Sequence, residues 1–218
     1  MDNSAARQQM VDQQIRTWEV LDPRVLEALN AVPREAFVPE AYRELAYADS
    51  PLPIGQGQYM LAPSMHGRIL QALGVNPSDR ALEVGTGSGY LAACLSLLGA
   101  STHSIDIHLS FTEMAARNLR TVSAVGRAAT LETRDAWSTA PWAEYDVIAL
   151  TGSLPVYDSR FERSLAIGGR LFAVVGTAPA MNAVLVRRVD RTEWIRETLF
   201  ETVIQPLINA PAAPRFVF

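Results

Sequence analysis

Cysteine is almost missing from this chain: Cys94 is the only one, so no disulfide forms within it. It lies in an apolar run and reads as a small buried hydrophobe rather than a nucleophile. Histidine is nearly as scarce, with three in 218 residues, and no metal is expected. No apolar run approaches the ~18 residues that a membrane span requires. The opening Met1-Asp2-Asn3-Ser4-Ala5-Ala6-Arg7 lacks the basic start and apolar stretch of a secretory signal. Long Lys/Arg clusters are absent too, and the net charge is −4, so no nucleic-acid footprint shows. Together these absences lead us to expect a cytoplasmic protein, with neither membrane nor nucleic acid as partner.

What remains is the composition of an ordinary globular domain, 49% apolar and 19% charged, long enough for a substantial core. Its organising stretch is Ala81-Leu82-Glu83-Val84-Gly85-Thr86-Gly87-Ser88-Gly89-Tyr90. A short apolar run ends at glycines in every second position, and the helix-like Tyr90-Leu91-Ala92-Ala93-Cys94-Leu95 follows. That is the order strand, tight turn, helix of a nucleotide-binding βα unit. Dinucleotide-binding turns have Gly-x-Gly-x-x-Gly/Ala, but Tyr90 occupies the third small position. No Gly-Lys-Ser/Thr follows, which excludes an ATP-type phosphate loop. The remaining pattern, Glu-x-Gly-x-Gly-x-Gly, resembles the first motif of class I S-adenosylmethionine-dependent methyltransferases. A turn with glycines for packing alone is the alternative, and the downstream pattern weighs against it.

The rest of the chain reads as follows. Residues 4–17 carry Met10, Val11 and Ile15 at near-helical spacing, and Asp22-Pro23 opens a second helix with an N-cap and a first-turn proline. Residues 47–63 are too rich in proline and glycine for a regular element, and are expected to form an ordered loop. A helix from Pro63 stops at Gly74. Strand 80–84, helix 88–98, strand 102–107 and helix 110–123 then alternate, the last opened by a Ser110–Glu113 capping box. Strands 128–133 and 145–151, helix 157–165 and strand 169–175 follow. A hairpin of 183–190 and 194–204 turns at Asp190-Arg191-Thr192-Glu193. Repeated βα units predict an α/β fold: a doubly wound, mostly parallel sheet with an antiparallel hairpin at one edge. Phe216 and Phe218 are expected to dock the C-terminal tail.

In such a sheet, ligands bind beyond the carboxyl ends of the strands. Asp106 ends the second strand of the series, where a carboxylate takes both hydroxyls of a ribose; a helix-capping aspartate is the plainer reading. Asp135 follows the third strand, beside Ala136, and suits an adenine amino group, unless it is simply a loop carboxylate. Glu83 precedes the glycines, either fixing the loop or approaching an ammonium, and Thr151 ends the fourth strand. Cofactor contacts are therefore expected from Glu83, Gly85, Thr86, Gly87, Gly89, Asp106, Ile107, Asp135, Ala136 and Thr151.

Three further stretches narrow the resemblance. Val32-Pro33-Arg34-Glu35-Ala36-Phe37-Val38-Pro39, then Tyr47-Ala48-Asp49-Ser50-Pro51-Leu52-Pro53-Ile54-Gly55-Gln56-Gly57-Gln58, then Ala62-Pro63-Ser64-Met65-His66 resemble the N-terminal region of protein-L-isoaspartate O-methyltransferases. The likeness runs from about Gln9 to about Pro206. It implies a class I, Rossmann-like sheet of seven strands and a monomer or weak dimer. It also implies methyl transfer from S-adenosylmethionine to the carboxylate of isoaspartyl residues, with S-adenosylhomocysteine as product. On this reading residues 1–78 form a helical and loop extension covering the active site, and 79–218 the cofactor-binding core. After Gln58 the family carries Thr-Ile-Ser, whereas this chain has Tyr59-Met60-Leu61. Leu61 donates no hydrogen bond, which for a desolvated charge is a loss of about 1.5–3 kcal/mol. Substrate contacts are expected from Asp49, Gln58, Tyr59, Leu61 and His66, where Tyr59 either bonds the acceptor or plugs the pocket and His66 either bonds it or is structural. A carboxylate acceptor is already an anion at neutral pH, so no general base is assigned. Two other readings stay open: another acceptor on the same scaffold, small molecule or protein group, and a cofactor-binding homologue without turnover.

Overall fold

The computed structural model describes residues 3–122, 129–138 and 144–212. The chain begins with helix α1 (Ser4–Gln9), which continues as a π-turn over Met10–Ile15 and a 3-10 turn over Arg16–Trp18. The expected single α-helix is thus wound more loosely in its middle. Met10 and Ile15, five residues apart, are both fully buried, and the i→i+5 winding brings such a pair to one face. Helix α2 (Pro23–Ala31) starts as expected, the Asp22 carboxylate accepting from the Arg24 N–H at 2.8 Å.

The stretch read as an irregular loop is a hairpin, β1 (Leu52–Gly55) and β2 (Gln58–Met60). Gln56 and Gly57 between them both have positive φ, the signature of a primed two-residue turn. Helix α3 (Pro63–Leu73) ends at left-handed Gly74. Strand β3 (Arg80–Val84), helix α4 (Tyr90–Leu97), strand β4 (Ser101–Asp106) and helix α5 (Leu109–Thr121) follow in the expected order. Helix α5 starts one residue earlier than read. Ser110 therefore falls inside its first turn, the Ser110–Glu113 capping box does not form, and the Asp106 carboxylate accepts from the His108 N–H instead.

Next come β5 (Thr130–Thr133), β6 (Tyr145–Leu154), the one-turn helix α6 (Arg160–Arg163), and strands β7 (Leu165–Thr177), β8 (Ala180–Asp190) and β9 (Glu193–Glu201). Residues 123–128 and the tail's Phe216 and Phe218 lie outside the described residues. Helix 157–165 shrinks to four residues because Asp158 caps Arg160 N and β7 already begins at Leu165. Strand β9 stops at Glu201 rather than 204. The chain beyond it switches partner, with Ser153 N donating to the Gln205 carbonyl and Leu207 N to the Ser153 carbonyl. We call residues 203–208 the strap.

The large sheet has seven strands in the order β5-β4-β3-β6-β7-β8-β9, parallel through β7 and antiparallel beyond. Alternating side chains face two cores. Ala81, Val147, Ala149, Phe172 and Val174 join the N-terminal helices, α3 and α4 on one side. Leu82, Val84, Ile148, Leu150, Leu171 and Ala173 pack with Phe161 and Trp137 on the other. The order β4-β3-β6 reverses direction at β3, and beyond that switch point the strand ends open a crevice.

Candidate active site

The crevice is a cavity of about 490 Å³. Its floor is the glycine turn. Gly85 and Thr86 N–H groups both donate to the Ile105 carbonyl, which pulls the turn over the end of β4. Gly85 has φ +99°, and a Cβ there would run into the Thr151 hydroxyl, so only glycine fits. Thr151 Oγ1 lies 2.7 Å from the Gly85 carbonyl and 3.0 Å from that of Val84, so its one proton is committed to the backbone.

At one end stand the carboxylates. Asp106 accepts one bond on each oxygen, from Gly87 N at 2.9 Å and His108 N at 2.9 Å. A carboxylate has about four lone-pair sites, so two stay free for a ligand's diol. Burial raises the Asp106 pKa, and the backbone amides of Gly87, His108 and Ile107 oppose that rise. Asp135 is similarly half-used, accepting from Trp137 N and from Asn209 Nδ2, both at 2.8 Å. Ile107 and Ala136 line the same end.

Glu83 lies deeper, 1% exposed, where it borders a small side pocket of about 40 Å³ together with Thr86 and Gly87. Ser104 Oγ donates to its carboxyl, and Thr86 Oγ1 in turn donates to Ser104 at 2.6 Å. Burial pushes the Glu83 carboxyl up to about 8, the Ser104 bond opposes this, and negative Asp106 adds to it. In the ligand-free protein Glu83 therefore holds its proton at neutral pH. The unfolded chain gives up that proton near 4.5, so wild-type stability falls as pH rises from about 4.5 to about 8 and levels off above. Glu83→Gln, neutral throughout, escapes that loss. Its melting temperature should gain on wild type across this window by the equivalent of a few kcal/mol. Thermal scans at pH 5 and pH 8.5 giving the same difference would contradict this assignment.

At the acceptor end the cavity is lined by Gln58, Tyr59 and Leu61. Tyr59 is 48% exposed and stands at the mouth rather than filling the space. The structure separates the remaining expected residues from this cavity. Asp49 accepts from Ser64 N at 3.1 Å, at the start of α3. His66, 4% exposed, has its Nδ1 3.2 Å from Arg34 Nη1. The same Nδ1 lies 3.1 Å from the Ala62 carbonyl, so the ring is held between the guanidinium and the first turn of α3. Burial, and then the Arg34 charge, hold the His66 pKa well below the ordinary value. Gly89 also lies off the cavity: with φ +87°, its missing Cβ leaves room for Ala115 of α5, 2.8 Å from where a Cβ would stand.

Several lining residues escaped the sequence reading. His108 and Phe111 border the carboxylate end, and the His108 Nε2 is buried without a hydrogen-bond partner among the described residues. The strap forms a whole wall, from Val203 to Ile208. In the sequence its first two residues, Val203 and Ile204, read as the end of a strand. Arg34 stands out in the sequence only as part of a longer motif, yet it is fully buried behind the hairpin. Its Nε donates to the Ala46 carbonyl at 2.8 Å and its Nη2 to that of Leu61 at 2.6 Å.

An adenosyl ligand fits this architecture on the molecule's own terms. The glycine turn has no side chain to block it, two half-used carboxylates face the cavity, and an orphaned imidazole nitrogen lies beside them. Known proteins point the same way. The family model for protein-L-isoaspartate(D-aspartate) O-methyltransferase matches residues 5–210. Protein-L-isoaspartate O-methyltransferase 1 of Rhodopseudomonas palustris is 37% identical over 207 residues, covering 94% of this chain and 84% of its own. Protein-L-isoaspartate O-methyltransferase 2 of Pelobacter propionicus is 36% identical over 208 residues, covering 94% of this chain and 91% of its own. In structure, the Plasmodium falciparum β-aspartate methyltransferase solved with S-adenosyl-L-homocysteine superposes with a TM-score of 0.80 at 18% identity. The match covers 92% of this chain and 97% of that one, a likeness of fold. With residues 5–210 matched and its seven strands in the order just described, the chain belongs to the protein-L-isoaspartate(D-aspartate) O-methyltransferase family.

Proposed function

We propose that this protein transfers the methyl group of S-adenosylmethionine to a carboxylate oxygen of an isoaspartyl residue in a protein or peptide. One observation carries the reading. A single cavity has half-used carboxylates at the strand ends on one side and the Gln58-Tyr59-Leu61 edge of the hairpin on the other, with the glycine turn between. When bound, the cofactor supplies an electrophilic methyl group. Asp106 holds the ribose diol, and Asp135 with Ile107 and Ala136 flanks the adenine. Gly85, Gly87 and Thr151 shape the floor beneath the reacting atoms, with Glu83 and Thr86 buttressing that turn from below. Gln58 and Tyr59 orient the acceptor. An ionised carboxylate attacks without losing a proton, so catalysis rests on alignment and exclusion of water rather than on a base. In this arrangement residues 1–78 act as the cover and residues 79–218 as the cofactor core.

Leu61 leaves one side of the acceptor end without a donor. Leu61→Ser should raise kcat/KM for an isoaspartyl peptide by about tenfold or more. An unchanged value would place acceptor recognition elsewhere in the cavity. The reaction class itself is tested with S-adenosylmethionine labelled in its methyl group and a synthetic isoaspartyl peptide. Carboxyl methyl esters release volatile labelled methanol in mild base. Label that stays on the peptide through base treatment, or never reaches it, contradicts the proposal.

A further inference from the structure

The geometry points to Gln205 as an acceptor-binding residue, one that reaches the site from the strap and supplies part of what residue 61 does not. The inference rests on the carboxyl-methylation reading above. Asp106 and Asp135 bring carboxyl groups, and His108 and Arg134 stand beside them at the adenosyl end. The Thr151 proton is committed to backbone carbonyls. Asp49 is engaged outside the cavity with Ser64 N, and His66, held at Nδ1 by Arg34, borders the small side pocket rather than the main cavity. The neutral donors left at the acceptor end are Gln58, Tyr59 and Gln205.

The Gln205 backbone is anchored by hydrogen bonds between the strap and Ser153. Fully buried Ser153 donates its N–H to the Gln205 carbonyl at 2.8 Å. On either side, Ser153 Oγ donates to the Ile204 carbonyl at 3.2 Å and Leu207 N donates to the Ser153 carbonyl at 2.9 Å. Gly152 makes this docking possible, because a Cβ there would stand 2.9 Å from the Leu207 side chain. From that anchored strap the Gln205 side chain crosses to the hairpin turn, where Nε2 donates to the Gly57 carbonyl at 3.1 Å. One Nε2–H is thereby used. The other, and the Oε1 acceptor, have no hydrogen-bond partner among the described residues. A carboxamide held in this way offers one donor and one acceptor side by side at the mouth. That pair suits a carboxylate adjoining a peptide N–H: the free N–H goes to the carboxylate and Oε1 accepts from the amide.

The test uses the whole protein, a synthetic isoaspartyl peptide and S-adenosylhomocysteine. Gln205 is exposed, so its substitution should leave the fold intact, and thermal scans on each variant check this. Gln205→Leu should raise KM for the peptide about tenfold or more, with kcat and the affinity for S-adenosylhomocysteine changed less than about twofold. Gln205→Glu, which sets a negative charge against the acceptor carboxylate, should raise KM further than Gln205→Leu. A residue that merely latches the strap to Gly57 would give equal effects for the two variants. Equal effects, an unchanged KM in Gln205→Leu, or cofactor affinity falling in step with KM would each overturn the inference while leaving the enzyme's function standing. A wild-type protein that binds S-adenosylhomocysteine but forms no base-labile methyl ester would overturn the function, and this inference with it.

Discussion

Arg34→Met lowers the stability of the fold by about 3 kcal/mol, which for a chain of this size is a fall of about 6–12 °C in melting temperature. Arg34 is fully buried, and burial lowers its pKa to about 10, which still leaves it charged at neutral pH. Its donors close the Ala46 and Leu61 carbonyls, one on each side of the β1–β2 hairpin, and hold the His66 ring. The guanidinium also sits 5.1 Å from the centroid of the Tyr90 ring, at the start of α4. Methionine fills much of the same space but leaves two buried carbonyls unpaired, at about 1–3 kcal/mol each. Relief from burying a charge offsets part of this. The hairpin carries Gln58 and Tyr59, so methyl transfer should fail in this variant at a lower temperature than global unfolding. A melting temperature within about 2 °C of wild type would show that Arg34 is not the rivet described here.

Asp106→Ala is the second large effect. It should weaken S-adenosylhomocysteine binding about a hundredfold or more, because two charge-assisted hydrogen bonds to a ribose diol contribute about 1.5–3 kcal/mol each. The substitution also frees the Gly87 and His108 N–H groups, so the glycine turn and the start of α5 lose a shared partner. Asp106→Asn separates the two contributions: it retains one acceptor oxygen, but its amide donors face the Gly87 or His108 N–H. Its affinity should fall between those of Asp106→Ala and wild type. Equilibrium dialysis against labelled S-adenosylhomocysteine measures all three. An Asp106→Ala protein that binds within about threefold of wild type would move the ribose away from this carboxylate.

Much of this was legible in the sequence because the parallel strands are short apolar runs ending in marked residues. Asp106 ends β4, Asp135 follows β5, and Thr151 lies in β6 just past the end of its pairing with β3, so topology carries all three to one crevice. The hairpin was not legible, since β1 and β2 have only four and three residues and hold a proline and a terminal glycine. Their pairing is fixed by two left-handed residues, and by Arg34 some distance upstream. The strap escaped for a related reason. Its residues are apolar, as a strand's are, but a change of partner from β8 to the end of β6 depends on Ser153 and on the absence of a side chain at Gly152. His66 reads in the sequence equally as a substrate contact or a structural residue, and only the folded chain sets Arg34 Nη1 against its Nδ1. Non-local hydrogen bonds leave no periodicity in a sequence. The residues they recruit look ordinary until the chain is folded.

The account stands or falls on the strand-end cavity receiving an adenosyl ligand. Calorimetric titration of the folded wild-type protein with S-adenosylhomocysteine should show saturable heat at one ligand per chain, and S-adenosylmethionine should compete for the same site. No heat from either compound, in a sample whose thermal unfolding is cooperative, would contradict it.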